Sequence, residues 1–265
     1  MLLSLDTGTA PFLVPIQRAR EALGEELFTE TRQYGWCGEG GFFLHDVLDN
    51  GESVQCVSSA MDSTWGVDEW KRDLGSKTLE DSFAGWTNSP IAPGMIKVCF
   101  AYWITVQTPA NFLSQLLLEN PYLRAYPQWH HNIHAPTFAK NRVCMIGDAA
   151  HAMTPWQGSG AGQAIEDSMI LDALFSEVKD VSEIAAAFKA YDAVRRPRSQ
   201  QVVESSAGTA KILCGKEPGV GLDPDKIREA TGPRWGFISA LNYKEHKKDA
   251  LSRFADLKSG HGGVS

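Results

Sequence analysis

Residues 142–168, RVCMIGDAAHAMTPWQGSGAGQAIEDS, restrict this chain more than any other stretch. Val143, Cys144, Met145 and Ile146 form a short apolar run that reads as a buried strand. Gly147 and Asp148 end it, and a loop passes through Pro155 to Gly158, Gly160 and Gly162, where a helical pattern begins. Strand, acidic residue, glycine-rich turn and helix together set unpaired backbone N–H groups and a positive helix end beside a carboxylate. Such a corner suits a ligand with an electron-rich or anionic edge at the helix and hydroxyl groups at the aspartate. For three glycines alone, a strand-to-helix turn with no ligand explains the pattern equally well.

The rest of the chain sets outer bounds. Its 265 residues suffice for one large domain or two smaller ones. With 43% hydrophobic and 22% charged residues, the composition is that of a soluble globular protein, and a net charge of −7 offers no footprint for nucleic acid. The five cysteines are scattered and show no metal-type pairing, so they read as reduced thiols of a cytoplasmic protein. The first residues, MLLSL, lack the basic start and long apolar core of a signal peptide. No run approaches the ~20 apolar residues of a membrane span.

Residues 142–168 resemble the second flavin-binding motif of the group A FAD-dependent aromatic monooxygenases, in particular the salicylate hydroxylase-like branch. That family reads roughly G-D-A-A-H-A-x-x-P-x-Q-G-x-G-A-G-x-A-I-E-D. Gly147, Asp148, Ala149, Ala150, His151, Pro155, Gln157, Gly158, Gly160, Ala161, Gly162, Ile165, Glu166 and Asp167 all fit. The resemblance implies FAD as cofactor, with Asp148 hydrogen-bonding the ribityl chain and Pro155 near the reactive edge of the isoalloxazine. The amides of Gly160, Ala161 and Gly162 would face the pyrimidine edge, and Gly158 is counted with them as cofactor-binding. A helix N-terminus stabilises the negative charge that reduction places there, which gives the last role independent physical sense.

The resemblance implies an α/β fold of the PHBH-like type, with a mixed β-sheet substrate domain and an incomplete flavin-binding domain. The expected division is a substrate-domain-like sheet over 1–138, a flavin-contacting strand, loop and helix over 139–180, and a helical region with a tail over 181–265. Residues 10–15 (APFLVP) read as a strand, and Ile16, Ala19, Leu23 and Leu27 place one face of a helix over 16–27. In the family this junction is often Y-R-x-L-x-P; Leu13 and Pro15 match, but Ala10 and Pro11 stand at the aromatic and arginine positions. Residues 31–59 read as three strands, with a turn at Gly38, Gly40 and Gly41 and a two-residue hairpin signal at Asn50-Gly51. His45, in the second strand, reads as a packed or surface residue and not as a catalytic base. Trp65, Trp70 and Trp86 are expected as packing anchors, with an aromatic pocket as the alternative, and a helix is expected over 79–86.

Residues 98–115 (VCFAYWITVQTPANFLSQ) interrupt the family pattern, which resumes near Leu116. Val-Cys at the start and Gln at the end suit a retained in-frame intron beginning GT and ending AG; an authentic insertion is the alternative, and the spliced transcript decides between them. His130, His131 and His134 invite a zinc reading, but in an extended strand 130 and 134 share a face and 131 points away, with no second ligand cluster nearby. After the motif, the first helix is expected to reach about Val178, and Asp180 with Glu183 forms a capping-box pattern for the next. Pro197 is expected to kink or restart that helix, and Arg195, Arg196 and Arg198 to form a solvated face paired with acidic residues; a phosphate-binding cluster for a nicotinamide cofactor is the alternative. A final helix-like segment spans about 235–254, followed by a polar glycine-rich tail.

A group A monooxygenase opens with a βαβ unit whose G-x-G-x-x-G holds the FAD pyrophosphate. No such pattern occurs in these residues, and the resemblance, from about Thr7 to about Phe254, covers the back part of a family member. Two functions follow. One is an FAD- and NAD(P)H-dependent hydroxylase of a small phenolic or polyketide-like aromatic substrate. The other is a non-catalytic remnant, or one half of a split flavoprotein with a partner chain or a second copy completing the ADP site. Neither a nucleic acid nor a membrane is expected as partner.

Overall fold

Alternating apolar residues in three consecutive strands generate the main sheet. The computed structural model describes residues 2–61, 65–66, 68–74, 80–86, 91, 94–95 and 124–259. The chain divides into two compact units. One comprises Asp6–Gln128 and Lys211–Ile227; the other comprises Met1–Leu5, Trp129–Ala210 and Arg228–Ser265. The segment 98–115 and the tail beyond 259 lie outside the described residues.

The sheet contains β1 (Leu2–Pro15), β2 (Tyr34–Gly38), β3 (Gly41–Leu48), β4 (Ser53–Met61), β5 (Arg72–Asp73) and β6 (Arg124–His131), in the order β2-β3-β4-β1-β6-β5. Antiparallel pairing sets the rows. Phe12 lies opposite Cys56 and Val14 opposite Val54 on β1 and β4, while His45 lies opposite Cys56 and Val47 opposite Val54 on β3 and β4. The two-residue side-chain period therefore puts Phe12, Cys56 and His45 in one inward row. Helix α1 (Ile16–Leu23) begins directly after β1 and buries Ile16, Ala19 and Leu23 in the same core, with Phe28, Phe43, Phe83 and Trp86. Gly24, with φ 103°, ends α1, and a 3-10 turn over Glu25–Phe28 replaces the final helical turn expected to Leu27.

The two hairpins differ in how they turn. Gly38 lies opposite Gly41, leaving Glu39 and Gly40 as a two-residue turn. In the second, Leu48 lies opposite Ser53, so Asp49, Asn50, Gly51 and Glu52 form a longer connection than the two-residue turn expected at Asn50-Gly51. Asp49 and Asn50 both adopt positive φ, 52° and 54°, a backbone state that short polar side chains tolerate.

The tryptophans differ in their settings. Trp86 is buried and meets Phe83 edge-on at 5.2 Å between ring centroids, Arg72 lies over the Trp65 ring at 4.2 Å, and Trp70 is exposed. Trp86 is thus the packing anchor, and these contacts assemble no shared aromatic pocket. Within 79–86, residues 80–82 are helical; residue 79 lies outside the described residues.

The second unit is built on helices. A small hairpin, β7 (Ala139–Lys140) and β8 (Val143–Cys144), leads into a single-turn helix α2 (Asp148–His151), then α3 (Gly160–Glu177), α4 (Ile184–Leu213), α5 (Pro224–Ser239) and α6 (Tyr243–Lys258). Its core joins Phe138, Ala150, Ile170, Leu174, Tyr191, Val194, Ala250 and Phe254. Asp180 accepts from the Ser182 amide at 2.9 Å, and Glu183 reaches back to the Lys179 amide at 2.8 Å, so the expected cap forms with its return bond one residue early. Helix α4 runs unbroken through Pro197. An interior proline costs about 3 kcal/mol, and the buried side chains on either side of it, Val194, Arg195, Ser199 and Val202, outweigh that cost. The final helix-like stretch is two helices, because Asn242 accepts from the Lys244 and Glu245 amides at 3.1 and 3.2 Å and starts α6 afresh.

Candidate functional site

Gly147 makes the corner possible. Its φ of 57° and ψ of −142° belong to glycine almost alone, and they reverse the chain between β8 and α2. The next residue, Asp148, is exposed, and its carboxylate has no hydrogen bond or ion pair among the described residues. The loop then passes exposed Pro155 and turns at Gly158, whose φ is 60°. Helix α3 follows with no side-chain cap: Ser159 directs its hydroxyl to the Gln157 carbonyl at 2.9 Å instead. The first-turn amides of Gly160, Ala161 and Gly162 therefore meet solvent at the positive end of an 18-residue helix. A side-chain carbon placed on Gly158 or Gly162 would find nothing within 4 Å.

The corner is held from below. Gln163, Glu166, Asp167, Ile170 and Leu174 form the buried stripe of α3, so its lower half is apolar and its upper half charged. Arg195, fully buried on α4, donates from Nε to Asp167 Oδ1 at 2.9 Å and from Nη2 to Gln163 Oε1 at 2.9 Å and to the Gln163 carbonyl at 3.0 Å; its Nη1 donates to Glu166. Arg198 adds a bond to Glu166 at 3.1 Å and donates to the Phe237 and Ile238 carbonyls at 2.9 and 3.0 Å. Two carboxylates thus face two guanidiniums, and the buried charges balance. Asp167 also accepts from the Gly147 amide at 3.0 Å and from His151 Nε2 at 2.7 Å. Burial alone would push its carboxyl upward, but the bonds from His151, Gly147 and Arg195 hold it below the usual carboxylate range. Burial, followed by the Asp167 charge, raises the nearby Cys144 thiol.

Of the histidine cluster, His131 donates its backbone N–H to the Ala152 carbonyl at 3.0 Å and bonds the Asp148 carbonyl through Nε2 at 3.0 Å, while His134 pairs with Glu204 at 2.9 Å. The His131 and His134 rings point to separate partners, and no group of metal-ligating side chains occurs among the described residues. His131 braces the Asp148 turn instead. A cavity of about 370 Å³ adjoins the first turn of α3, lined by Gly158, Ser159, Gly162, Ile165, Met169, Ile238 and Tyr243 among others. Its size falls within the range of small-molecule sites.

The residues present fit an isoalloxazine and ribityl chain: an unpaired carboxylate for hydroxyls, uncapped amides for an electron-rich edge, and glycines that leave room for approach. All six residues implied by the motif lie on this one turn-loop-helix unit. The arginines differ from expectation. Arg195 lies on the buried face of α4 and Arg198 is nearly buried, so the set is no solvated face; Arg196, partly exposed, pairs with Asp192 at 3.0 Å. The signal was in the spacing, since Tyr191, Val194, Arg195, Ser199, Val202 and Ser206 recur at helical intervals along one buried side.

Residues 118–206 match the family described as FAD binding domain. The 6-methylsalicylate 1-monooxygenase atA of Aspergillus terreus is 31% identical over 258 residues, covering 95% of this chain and 51% of that protein. A salicylate hydroxylase of Pseudomonas putida is 30% identical, covering 86% of this chain and 49% of its own length. In fold, a salicylate hydroxylase substrate complex superposes with a TM-score of 0.72 at 24% identity, over 92% of this chain and 56% of that one. CtdE, solved with FAD and substrate, gives the same TM-score, 0.72, at 17% identity. Over most of its length the chain is thus similar to salicylate hydroxylases and related FAD-dependent monooxygenases. It spans about half the length of the curated relatives it matches.

Proposed function

We propose that this chain is the isoalloxazine-side part of an FAD-dependent hydroxylase acting on a phenolic or polyketide-like aromatic compound. The observation that carries the reading is the Asp148 carboxylate, unpaired among the described residues, on one turn-loop-helix segment with the uncapped amides of Gly160, Ala161 and Gly162. Bound there, FAD would supply redox and oxygen-transfer chemistry, in which NAD(P)H, a proton and dioxygen yield one oxygen atom on an electron-rich ring and one in water. The chain's own part is to hold and orient. Asp148 accepts hydrogen bonds from ribityl hydroxyls, the α3 amides stabilise negative charge at the pyrimidine edge, and Pro155 with Gly158 shapes the approach to the reactive edge. The names of the relatives from Aspergillus terreus and Pseudomonas putida support a salicylate-type substrate, a ring bearing a hydroxyl and a carboxylate. NAD(P)H oxidation and oxygen uptake by FAD-loaded protein, measured with salicylate and 6-methylsalicylate, test this reading. Uptake that rises with the phenolic acid supports it; flavin-loaded protein indifferent to either acid refutes the substrate class.

A second reading has its own support. Val143, Ile146 and Ile165 are 70%, 46% and 69% exposed in the unit that carries the motif. Apolar side chains so exposed beside a ligand corner favour a covering chain or a second copy. In that case flavin uptake requires the added chain. Sedimentation of the protein alone gives a dimer if the second copy is the cover and a monomer if another chain is.

A further inference from the structure

Asp167 makes its bonds at the two ends of one short turn. Its Oδ2 accepts from the amide of Gly147, the N-cap of α2, at 3.0 Å and from Nε2 of His151, the last residue of α2, at 2.7 Å. Between those two anchors sits Asp148, its backbone inside the turn and its carboxylate in solvent. Asp167 cannot follow the turn outward, because Arg195 holds its other oxygen at 2.9 Å and is itself bonded to Gln163 and Glu166. Asp167 is completely buried and His151 is 1% exposed, so no water competes for these bonds. The turn and the first half of α3 also lie close together: a carbon added to Gly147 would lie 3.8 Å from the Ala164 side chain.

We propose that Asp167 is a positioning residue for Asp148, clamping Gly147 and His151 to α3 so that the ribityl-facing carboxylate and the pyrimidine-facing amides form one rigid body. The role of Asp148 toward flavin rests on the reading given under Proposed function; the clamp itself does not. A carboxylate one residue beyond a glycine of this conformation would otherwise sample many directions. Fixing it before the ligand arrives removes that ordering cost from binding. His151 is the mediator, since its ring spans from the end of the turn to Asp167 and has no other bonded atom: Nδ1 is buried without a partner among the described residues.

The test uses the whole chain with His151→Gln, His151→Ala and Asp167→Asn. Glutamine keeps an N–H donor for Asp167 and alanine does not; asparagine keeps the shape of Asp167 but turns an NH2 toward donors. Two readouts separate the clamp from the ligand: hydrogen exchange of the Gly147 amide in flavin-free protein, and FAD affinity by fluorescence titration. His151→Ala and Asp167→Asn should speed Gly147 exchange and weaken FAD binding by about tenfold or more, with unchanged helical circular dichroism. His151→Gln should restore both toward wild type, which a merely space-filling role would not require. Unchanged Gly147 exchange in His151→Ala overturns the clamp, and faster exchange with unaltered FAD affinity overturns its role in positioning. Faster exchange in variants of a chain whose wild type takes up no FAD upholds the clamp and removes the flavin reading alone.

Discussion

His45 makes the stability of the sheet-bearing unit depend on pH in a calculable way. Its ring is fully buried among Phe28, Tyr34, Trp36 and Phe43, stacked on Tyr34 at 5.0 Å between centroids and accepting from Trp36 Nε1 at 3.3 Å through Nδ1. Its Nε2 has no hydrogen-bond partner among the described residues. Burial lowers its pKa from 6.5 to about 4, against a small opposing pull from Asp46. The unfolded chain then binds one more proton than the folded one between these values, so stability falls as pH drops below 6.5 and the loss is complete near 4. A difference of this size is worth roughly 3 kcal/mol in full and roughly 2 kcal/mol at about pH 5. His45→Gln offers Trp36 an amide oxygen and takes no proton. Urea unfolding of both proteins at about pH 8 and pH 5, with His45 followed by its ring proton resonances, measures the difference. Wild type should lose roughly 2 kcal/mol more than the variant over that interval. His246, also lowered by burial, titrates in both proteins and cancels. Parallel loss in wild type and variant, or a His45 resonance titrating near 6.5, would refute the argument.

Three further substitutions probe other parts of the account. Arg195→Met strips Glu166 and Asp167 of their buried partner and should cost about 3–5 kcal/mol in chemical unfolding; a cost below 1 kcal/mol would mean the charges are solvated. Asn242→Ala removes the cap that accepts from Lys244 and Glu245, and a loss of about 1 kcal/mol with earlier amide exchange at the start of α6 is expected. Asp148→Ala removes an exposed carboxylate with no partner among the described residues, so stability should hold within about 0.5 kcal/mol. Its FAD affinity should fall about tenfold to a hundredfold, the worth of one charge-assisted hydrogen bond.

What could be read from the sequence follows from how local each cause is. The second to fourth strands, the end of β1 from Ala10 and α1 were legible because burial there alternates every second residue or recurs every third and fourth, as in Phe12, Val14 and then Ile16, Ala19, Leu23; the start of β1 at Leu2 was not read. The strand, turn and helix around Asp148 were legible because they lie within one continuous stretch, but the strand covers only Val143 and Cys144, and Val143 and Ile146 are exposed where a buried strand was expected. Arg195 was not, since its partners Asp167 and Glu166 stand 28 and 29 residues away and a triple-arginine run looks like surface. Pro197 misled for the opposite reason: its local cost is real, but tertiary packing on both sides carries α4 through it. The start of α6 was readable and missed, as Asn242 with Glu245 three residues on is the same capping pattern recognised at Asp180. The bracing of Asp148 by His131 had no sequence signal, because it joins the end of β6 to a turn 17 residues later.

Titration of the purified chain with FAD, followed by flavin absorbance and fluorescence, tests the central claim most directly. An intact corner of Asp148 and the α3 amides predicts saturable one-to-one binding, weakened in Asp148→Ala. No saturable binding at tens of micromolar FAD, or binding that Asp148→Ala leaves unchanged, would contradict it.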